Sequence, residues 1–334
     1  MDESSAVPGG QLAGISKSSR LLDRLASVHS GGMSRLPRFR RVATIAPIQL
    51  TARDHEILRL VHRHRFLRSH QIIALIGGSP QQLSRRLQRL FHHGYLERPR
   101  AQLQYYERGG SQTIAYGLGN KSGSLLQLNL ASWGEKNRAI GRMYLEHALL
   151  VSDVMVSLEL ACRQHGIRLL YEDELHLPVE APLHWRVKLR DGTRLGVIPD
   201  RVFTLEYPDQ TGQMQRACYF LEADRGTMPV VRQKKSQTSF YRKLLAYEAT
   251  WTNKVHQRHL GLPRFRVLTV TTGAARVESL LAACSRLRRG HGLFLFADQS
   301  VLQRDLLTAV WQCGKAAAMS ALVDLPDLAS PHVS

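Results

Sequence analysis

"SPQQLSRRLQRLFHHG", residues 79–94, decides how the first half of the chain is read. Ser79 offers a side-chain N-cap, Pro80 suits the first helical position and Gly94 supplies a stop, so the stretch predicts one bounded helix. Leu83, Leu87, Leu90 and Phe91 recur at helical spacing and must face a core. The opposite face then carries Gln81, Arg85, Gln88 and Arg89, with Gln82 and Arg86 at its edges. Arginine can make paired hydrogen bonds to guanine and glutamine to adenine, and either can hold phosphate. This is the face a recognition helix presents to the major groove; the bland alternative is a solvated charged face.

Working outward, "LTARDHEILRLVHRH" predicts a first helix with Thr51 as N-cap and Asp54 and Glu56 in or near its first turn. "RSHQIIALIGG" predicts a short second helix capped by Ser69 and stopped at Gly77 and Gly78. Beyond Gly94, "YLERPR" and "QLQYYERGGSQTIAYGLG" predict two strands around the turn "RGGS". Three helices followed by a hairpin form a winged helix-turn-helix. In its wing Arg98, Arg100 and Arg108 are candidate phosphate contacts, and residues 51–110 hold eleven arginines against four acids. Tyr105 and Tyr106 are explained by strand packing, and "HRH" at 62–64 fails a two-histidine relaxase motif because Arg63 separates the pair.

The chain of 334 residues exceeds the usual length of one domain, which predicts two domains plus a tail. Hydrophobic residues at 43% and charged residues at 22% fit a globular protein. Forty-six Lys and Arg against 27 Asp and Glu give a net charge of +19, which favours a polyanionic partner through counterion release, double-stranded DNA first among them. An anionic membrane surface competes, yet no basic amphipathic helix supports it and no apolar run approaches spanning length. Cys162, Cys218, Cys284 and Cys313 are far apart and read as buried thiols, neither a zinc site nor a disulfide framework. The polar N-terminus lacks the features of a signal peptide, so a cytoplasmic location is expected. Neither a GxxxxGK[ST] loop nor a GxSxG elbow occurs.

Residues 1–44 read as a flexible basic arm, in which Arg35, Arg38, Arg40 and Arg41 are either solvated or touch phosphates. A winged-helix domain over 45–120 and a linker over 121–138 follow, then an α/β domain over 139–323 and a loose tail over 324–334. That α/β domain opens with a helix over 139–165 and continues with strand-like runs, including an Asp191-Gly192 turn. A long polar helix is expected over 232–259, then a strand, a helix, a strand and a last helix near 300–313. This order implies a mixed sheet with helices packed on it, so the fold class is α+β.

Two stretches of the second half concentrate carboxylates. "VIPDRVF" (197–203) contributes Asp200, and "FLEADRGT" (220–227) places Glu222 and Asp224 on one face of a strand with Phe220. Paired carboxylates repel unless solvent, cations or a metal separates them. Such oxygen ligands suit Mg²⁺ or Mn²⁺, which would activate water against a phosphodiester; otherwise they are acids that finish a strand.

"IPD", "LEAD" and the following helix with "KLLAY" resemble the core of the PD-(D/E)XK nucleases. The span from about 50 to 275 resembles the replication-relaxation family of plasmids and other mobile elements, whose members join a winged helix to a domain with "H…D", "E", "PD", "ExD" and "K…Y" signatures. The matches are His147 and Asp153 in "EHALLVSD", Glu172 or Glu174 in "YEDEL", Pro199 and Asp200, Glu222 and Asp224, and Lys243 with Tyr247. The resemblance implies DNA binding in replication or mobilisation. It also implies a site of Asp200, Glu222, Asp224 and Lys243, the three acids being metal ligands for Mg²⁺ or Mn²⁺ if the site cuts. One departure matters: Asp224 stands where that nuclease pattern has lysine, which leaves Lys234, Lys235 or Lys243 to supply it.

Three functions therefore stand side by side. The second domain serves binding or scaffolding, or it is a metal-dependent endonuclease, or the chain is a transcriptional regulator whose second domain senses or dimerises. Besides DNA, a second copy of the chain and replication or mobilisation proteins are candidate partners. His147 also has a bland reading as a half-buried, hydrogen-bonded helix residue, and Glu146 and Glu159 as surface acids.

Overall fold

A computed structural model describes residues 37–42, 46–103, 113–128, 132–178, 183–232, 237–315 and 318–323. The chain divides into two units, Met1–Ile45 and Ala46–Ser334. Arg35, Tyr105, Tyr106, Arg108, the "RGGS" turn, Lys234, Lys235 and the tail from 324 lie outside the described residues.

Helix α1 (Ala52–His64) starts where expected. Thr51 accepts from the Asp54 amide at 3.4 Å, and the Asp54 carboxylate accepts from the Thr51 amide at 2.7 Å, so the capping box is reciprocal. Strand β1 (Leu67–Arg68) leads into α2 (Ser69–Ile76), whose N-cap is Arg68 rather than Ser69. Helix α3 (Pro80–His92) has Ser79 as its N-cap and ends in a Schellman turn. Tyr95 N–H donates to Leu90 O at 3.0 Å and Gly94 N–H to Phe91 O at 3.1 Å, with Gly94 at φ +84°.

Strands β2 (Leu96–Glu97) and β3 (Ala115–Leu118) pair antiparallel, and β1 adds to β3, giving a three-stranded sheet in the order β1-β3-β2. Residues 100–102, expected to be extended, form a short 3-10 turn. The expected linker contains two helices, α4 (Asn120–Leu125) and α5 (Trp133–Ala139).

Helix α6 (Arg142–His165) organises the rest. Leu150, Val151, Val154, Leu158 and Cys162 face the large sheet. Val156 and Leu160 join the core of α1–α3, while Leu145 and Leu149 pack with Phe66 and Ala115. A helix apolar over so much of its circumference must be covered on several sides. The Ser152 hydroxyl, 2.7 Å from Phe66 O and 3.0 Å from His64 O, fastens α6 to the turn after α1.

The large sheet contains β4 (Arg168–Tyr171), β7 (Arg201–Pro208), β8 (Met214–Ala223), β9 (Arg266–Thr271), β10 (Phe294–Asp298), β11 (Trp311–Cys313) and β12 (Met319–Ser320). Its order is β12-β11-β10-β9-β8-β7-β4; β8, β9 and β10 run parallel and the other pairings are antiparallel. Helix α7 (Phe240–Thr252) joins β8 to β9, and α9 (Ala274–Cys284) joins β9 to β10. A hairpin of β5 (Trp185–Lys188) and β6 (Arg194–Val197) turns at Asp191-Gly192 and covers the face opposite α6 together with α7 and α9. The expected mixed sheet with packed helices is thus present, and the molecule is α+β.

Two helices expected in the second half differ. The helix expected over 232–259 shortens to α7 plus a four-residue turn of helix, α8 (Val255–Arg258). Carbonyls of Pro229 and Val230 accept the first amides of α7, and Lys254 at φ 53° breaks its end. The helix expected near 300–313 is a 3-10 turn followed by β11, because Trp311 is fully buried and Cys313 pairs with Leu295. All four cysteines are free, three of them buried and Cys313 half-buried. Among the described residues no helix is long and apolar enough to cross a membrane.

Candidate functional site

The parallel pairing of β8 with β9 and the antiparallel pairing with β7 bring the acidic residues to one end of the sheet. Alternation along β8 sends Tyr219, Leu221 and Ala223 toward α6, and Phe220 and Glu222 toward α7. Asp200 precedes β7; its Oδ2 accepts the Ala223 amide at 2.7 Å and its Oδ1 meets His147 Nε2 at 3.0 Å. Glu222, 2% exposed, pairs with Lys243 and accepts from the Tyr247 hydroxyl at 2.6 Å. Lys243 and Tyr247 lie one turn apart on α7, which is why both reach the same carboxylate.

Asp224, one residue past β8, is held separately. Its Oδ2 accepts from Thr271 Oγ1 at 2.7 Å and Arg276 Nε at 2.8 Å, and its Oδ1 accepts from Arg276 Nη2 at 3.2 Å. Arg276, on the first turn of α9, also donates to Met228 O at 2.5 Å.

The electrostatics follow from these partners. The hydrogen bond to the Asp200 carboxylate lifts the His147 pKa above its ordinary value despite partial burial. Burial opposes charge on Lys243, but Glu222 and Asp200 outweigh it and hold the ammonium above its usual range. Burial pushes Glu222 up, with Lys243 pulling back. Burial also drives the Tyr247 hydroxyl well above its usual value, so it stays a donor.

Of the residues singled out in the sequence, five lie in one row: His147 meets Asp200, Glu222 holds Lys243 and Tyr247, and Asp200 is coupled to Lys243 and Glu222 by charge. Asp153 does not join it: it pairs with Arg68 and accepts from Gln71 Nε2 at 2.8 Å, tying α6 to the start of α2. Glu172 accepts the Leu183 amide at 2.7 Å and Glu174 the Tyr171 amide at 3.1 Å, both holding loop backbone. Glu146 pairs with Arg142 and Arg225, and Glu159 is buried rather than superficial.

Asp200, Glu222 and Asp224 do not form one ligand set for Mg²⁺ or Mn²⁺. Each carboxylate is engaged by its own donors, and among the described residues no group of three or more His, Cys, Asp or Glu side chains is gathered around one point. The donor set fits an ion-pair network instead. Lys243, on α7, pairs with Glu222, two residues before Asp224.

On α3 the exposed positions are Pro80, Gln81, Gln82, Ser84 and Arg85, with Gln88 half-buried. Arg86 leaves the presented face: its Nε donates to the buried Asp54 at 2.6 Å and its Nη2 to Gln49 O. Arg89 donates to Pro47 O at 3.1 Å, and His93 Nε2 lies 3.0 Å from Ala46 O, so residues 46–49 run along that flank. Arg98 needs correction as a phosphate contact. It is 3% exposed, its guanidinium lies 4.2 Å from the Phe91 ring centre, and it donates to Tyr116 Oη at 3.0 Å. Arg100 is exposed.

A cleft of about 760 Å³ opens beside His147 and Asp200, lined by Arg59, Arg63 and Arg65 near the end of α1, by Trp133 and Tyr144, and by Arg201. These arginines belong to no motif with a fixed spacing; their one local signal is "HRHR" at 62–65, which packs four cationic or titratable side chains into one helix end.

No curated protein and no solved structure matches the chain. A family model described as replication-relaxation matches residues 58–264, more than half of the chain. That span runs from within α1 to the loop before β9, and it takes in both the helix-rich start and the row of His147, Asp200, Glu222 and Lys243. The chain therefore belongs to the replication-relaxation family.

Proposed function

We propose that the chain is a DNA-binding protein acting in replication or mobilisation of a plasmid or other mobile element. In this reading α1–α3 with β1–β3 form a winged helix, and α3 lies in the major groove. The observation that carries the reading is the presented edge of α3. Gln81 and Arg85 are exposed at its N-terminal end, where recognition helices contact base edges, while the Leu83, Leu87 and Leu90 face is buried. The net charge of +19 and membership of the replication-relaxation family support it. The α/β part is read as a nuclease-like domain used for binding or scaffolding, because its three acids are balanced by His147, Lys243 and Arg276.

Footprinting across the DNA that flanks the chain's own gene locates the site, and affinity for that fragment is then measured. Gln81→Ala with Arg85→Ala is expected to weaken binding roughly tenfold or more and to reduce the salt slope by about one. Unchanged affinity and slope would sink the recognition-helix assignment. Endonuclease activity is the second reading, favoured by the contact of Lys243 with Glu222. Nicking of supercoiled plasmid with Mg²⁺ or Mn²⁺ that disappears in Asp200→Ala and Glu222→Ala would replace scaffolding with cutting.

A further inference from the structure

The cleft beside α1 carries chemistry that the acidic row leaves unused. Several arginines elsewhere are matched with carboxylates: Arg68 with Asp153, Arg86 with Asp54, Arg138 with Glu97, Arg276 with Asp224. Among the described residues, Arg59, Arg63 and Arg65 of the cleft have no carboxylate at ion-pair distance, whereas Arg201 donates to Arg63 O at 2.9 Å and feels the charge of Glu172 and Asp200. The charge of the first three is therefore available to an anion.

Two of these arginines are also positioned. Arg63 lies 4.5 Å from the Tyr171 ring centre and Arg65 lies 3.9 Å from that of Trp133. Stacking on a ring fixes the guanidinium plane and leaves N–H edges for an acceptor. Arg65 Nη1 is buried with no hydrogen-bond partner among the described residues. Arg65 also occupies the centre of a γ-turn, at φ 71° and ψ −53°, with Phe66 N–H donating to His64 O at 2.8 Å. A non-glycine residue rarely holds this conformation, and such outliers cluster at ligand sites.

The rest of the lining selects the anion. Tyr144 is 52% exposed at the rim, an aromatic face open for stacking. Glu172, Asp173 and Asp200 also line the cleft and exclude a purely anionic filling; carboxylates accept from N–H groups on base edges, the thymine N3–H among them. A volume of about 760 Å³ is in the range that encloses a small ligand, so it admits a nucleotide or two and not a duplex.

We propose that this cleft is a second nucleic-acid site, which takes a single-stranded DNA segment with its phosphates on Arg59, Arg63 and Arg65 and a base on Tyr144. The proposal rests on the DNA-binding reading but on different residues from those of α3. Fluorescence anisotropy of the full chain tests it, with a labelled oligothymidylate of about twelve nucleotides and a duplex of the same length. Arg59→Gln with Arg63→Gln is expected to lower oligothymidylate affinity by roughly tenfold or more and to flatten its salt slope by about 1.4. Tyr144→Ala lowers it by roughly fivefold or more with the slope retained. Duplex affinity stays within about twofold in both, whereas Gln81→Ala with Arg85→Ala gives the reverse pattern. Arg59, Arg63 and Tyr144 are exposed, so these substitutions spare the core. If neither cleft variant changes oligothymidylate affinity, or if duplex and single strand lose equally, the proposal is overturned. A failure of the α3 variant alone counts against the recognition helix and leaves the cleft standing.

Discussion

Glu159 sits behind the cleft wall and orients it. Its carboxylate accepts from Arg163 Nη2 at 2.6 Å and from the Tyr171 hydroxyl at 2.6 Å, with His64 Nε2 at 3.4 Å, and the Tyr171 ring in turn supports Arg63. Burial opposes its ionisation, yet the nearby His64 ring, the Tyr171 hydroxyl and Arg163 prevail and lower its pKa to about 2. A depressed folded pKa means that the stabilisation is present above the unfolded value near 4.5 and is lost as pH falls toward 2. The contribution at neutral pH is on the order of 3 kcal/mol. Glu159→Gln is expected to melt earlier at pH 7 and to lose less stability than wild type between about pH 5 and 2; thermal melts across that window check it. A parallel pH dependence in the two proteins would refute the assignment. Residues such as this are hard to read from sequence because their partners are remote. Glu159 looked like a surface acid, Arg98 like a phosphate contact, and the arginine that neutralises Asp224 lies 52 residues further along. What sequence does carry is residue type in local order, which was enough to bring out Asp200, Glu222 and Lys243.

Elements whose signals are local came through well. The Thr51 and Ser79 caps, the Gly94 stop and the Asp191-Gly192 hairpin each depend on a few neighbouring residues, and each is found. The segment near 300–313 failed because its apolar residues suit a helix as well as a buried strand, and pairing with β10 decides between them. Asp54 shows how one local signal acquires a long-range role: it closes the capping box of α1 and receives Arg86 from α3. Asp54→Ala removes a cap and strands a partly buried guanidinium, so a loss of about 2–3 kcal/mol is expected. Chemical denaturation measures it, and a loss below about 0.5 kcal/mol would mean that the pair is only a surface contact.

Across the whole of Ala46–Ser334, α6 contributes to the core of α1–α3 through Val156 and Leu160 and to the sheet core through Leu150 and Val154. The helix expected to open a separate domain thus completes the hydrophobic core of the elements before it. One cooperative unfolding transition is expected, and a fragment ending near residue 138 should fail to fold for want of that surface. Calorimetry of the full chain and amide dispersion of the fragment test this; two resolved transitions or a folded fragment would contradict it. The Ser152 hydroxyl has a further consequence. It bolts the strained turn that carries Arg65 to α6, little more than one helical turn from His147. The arginine wall and the acidic row are therefore anchored on one and the same helix.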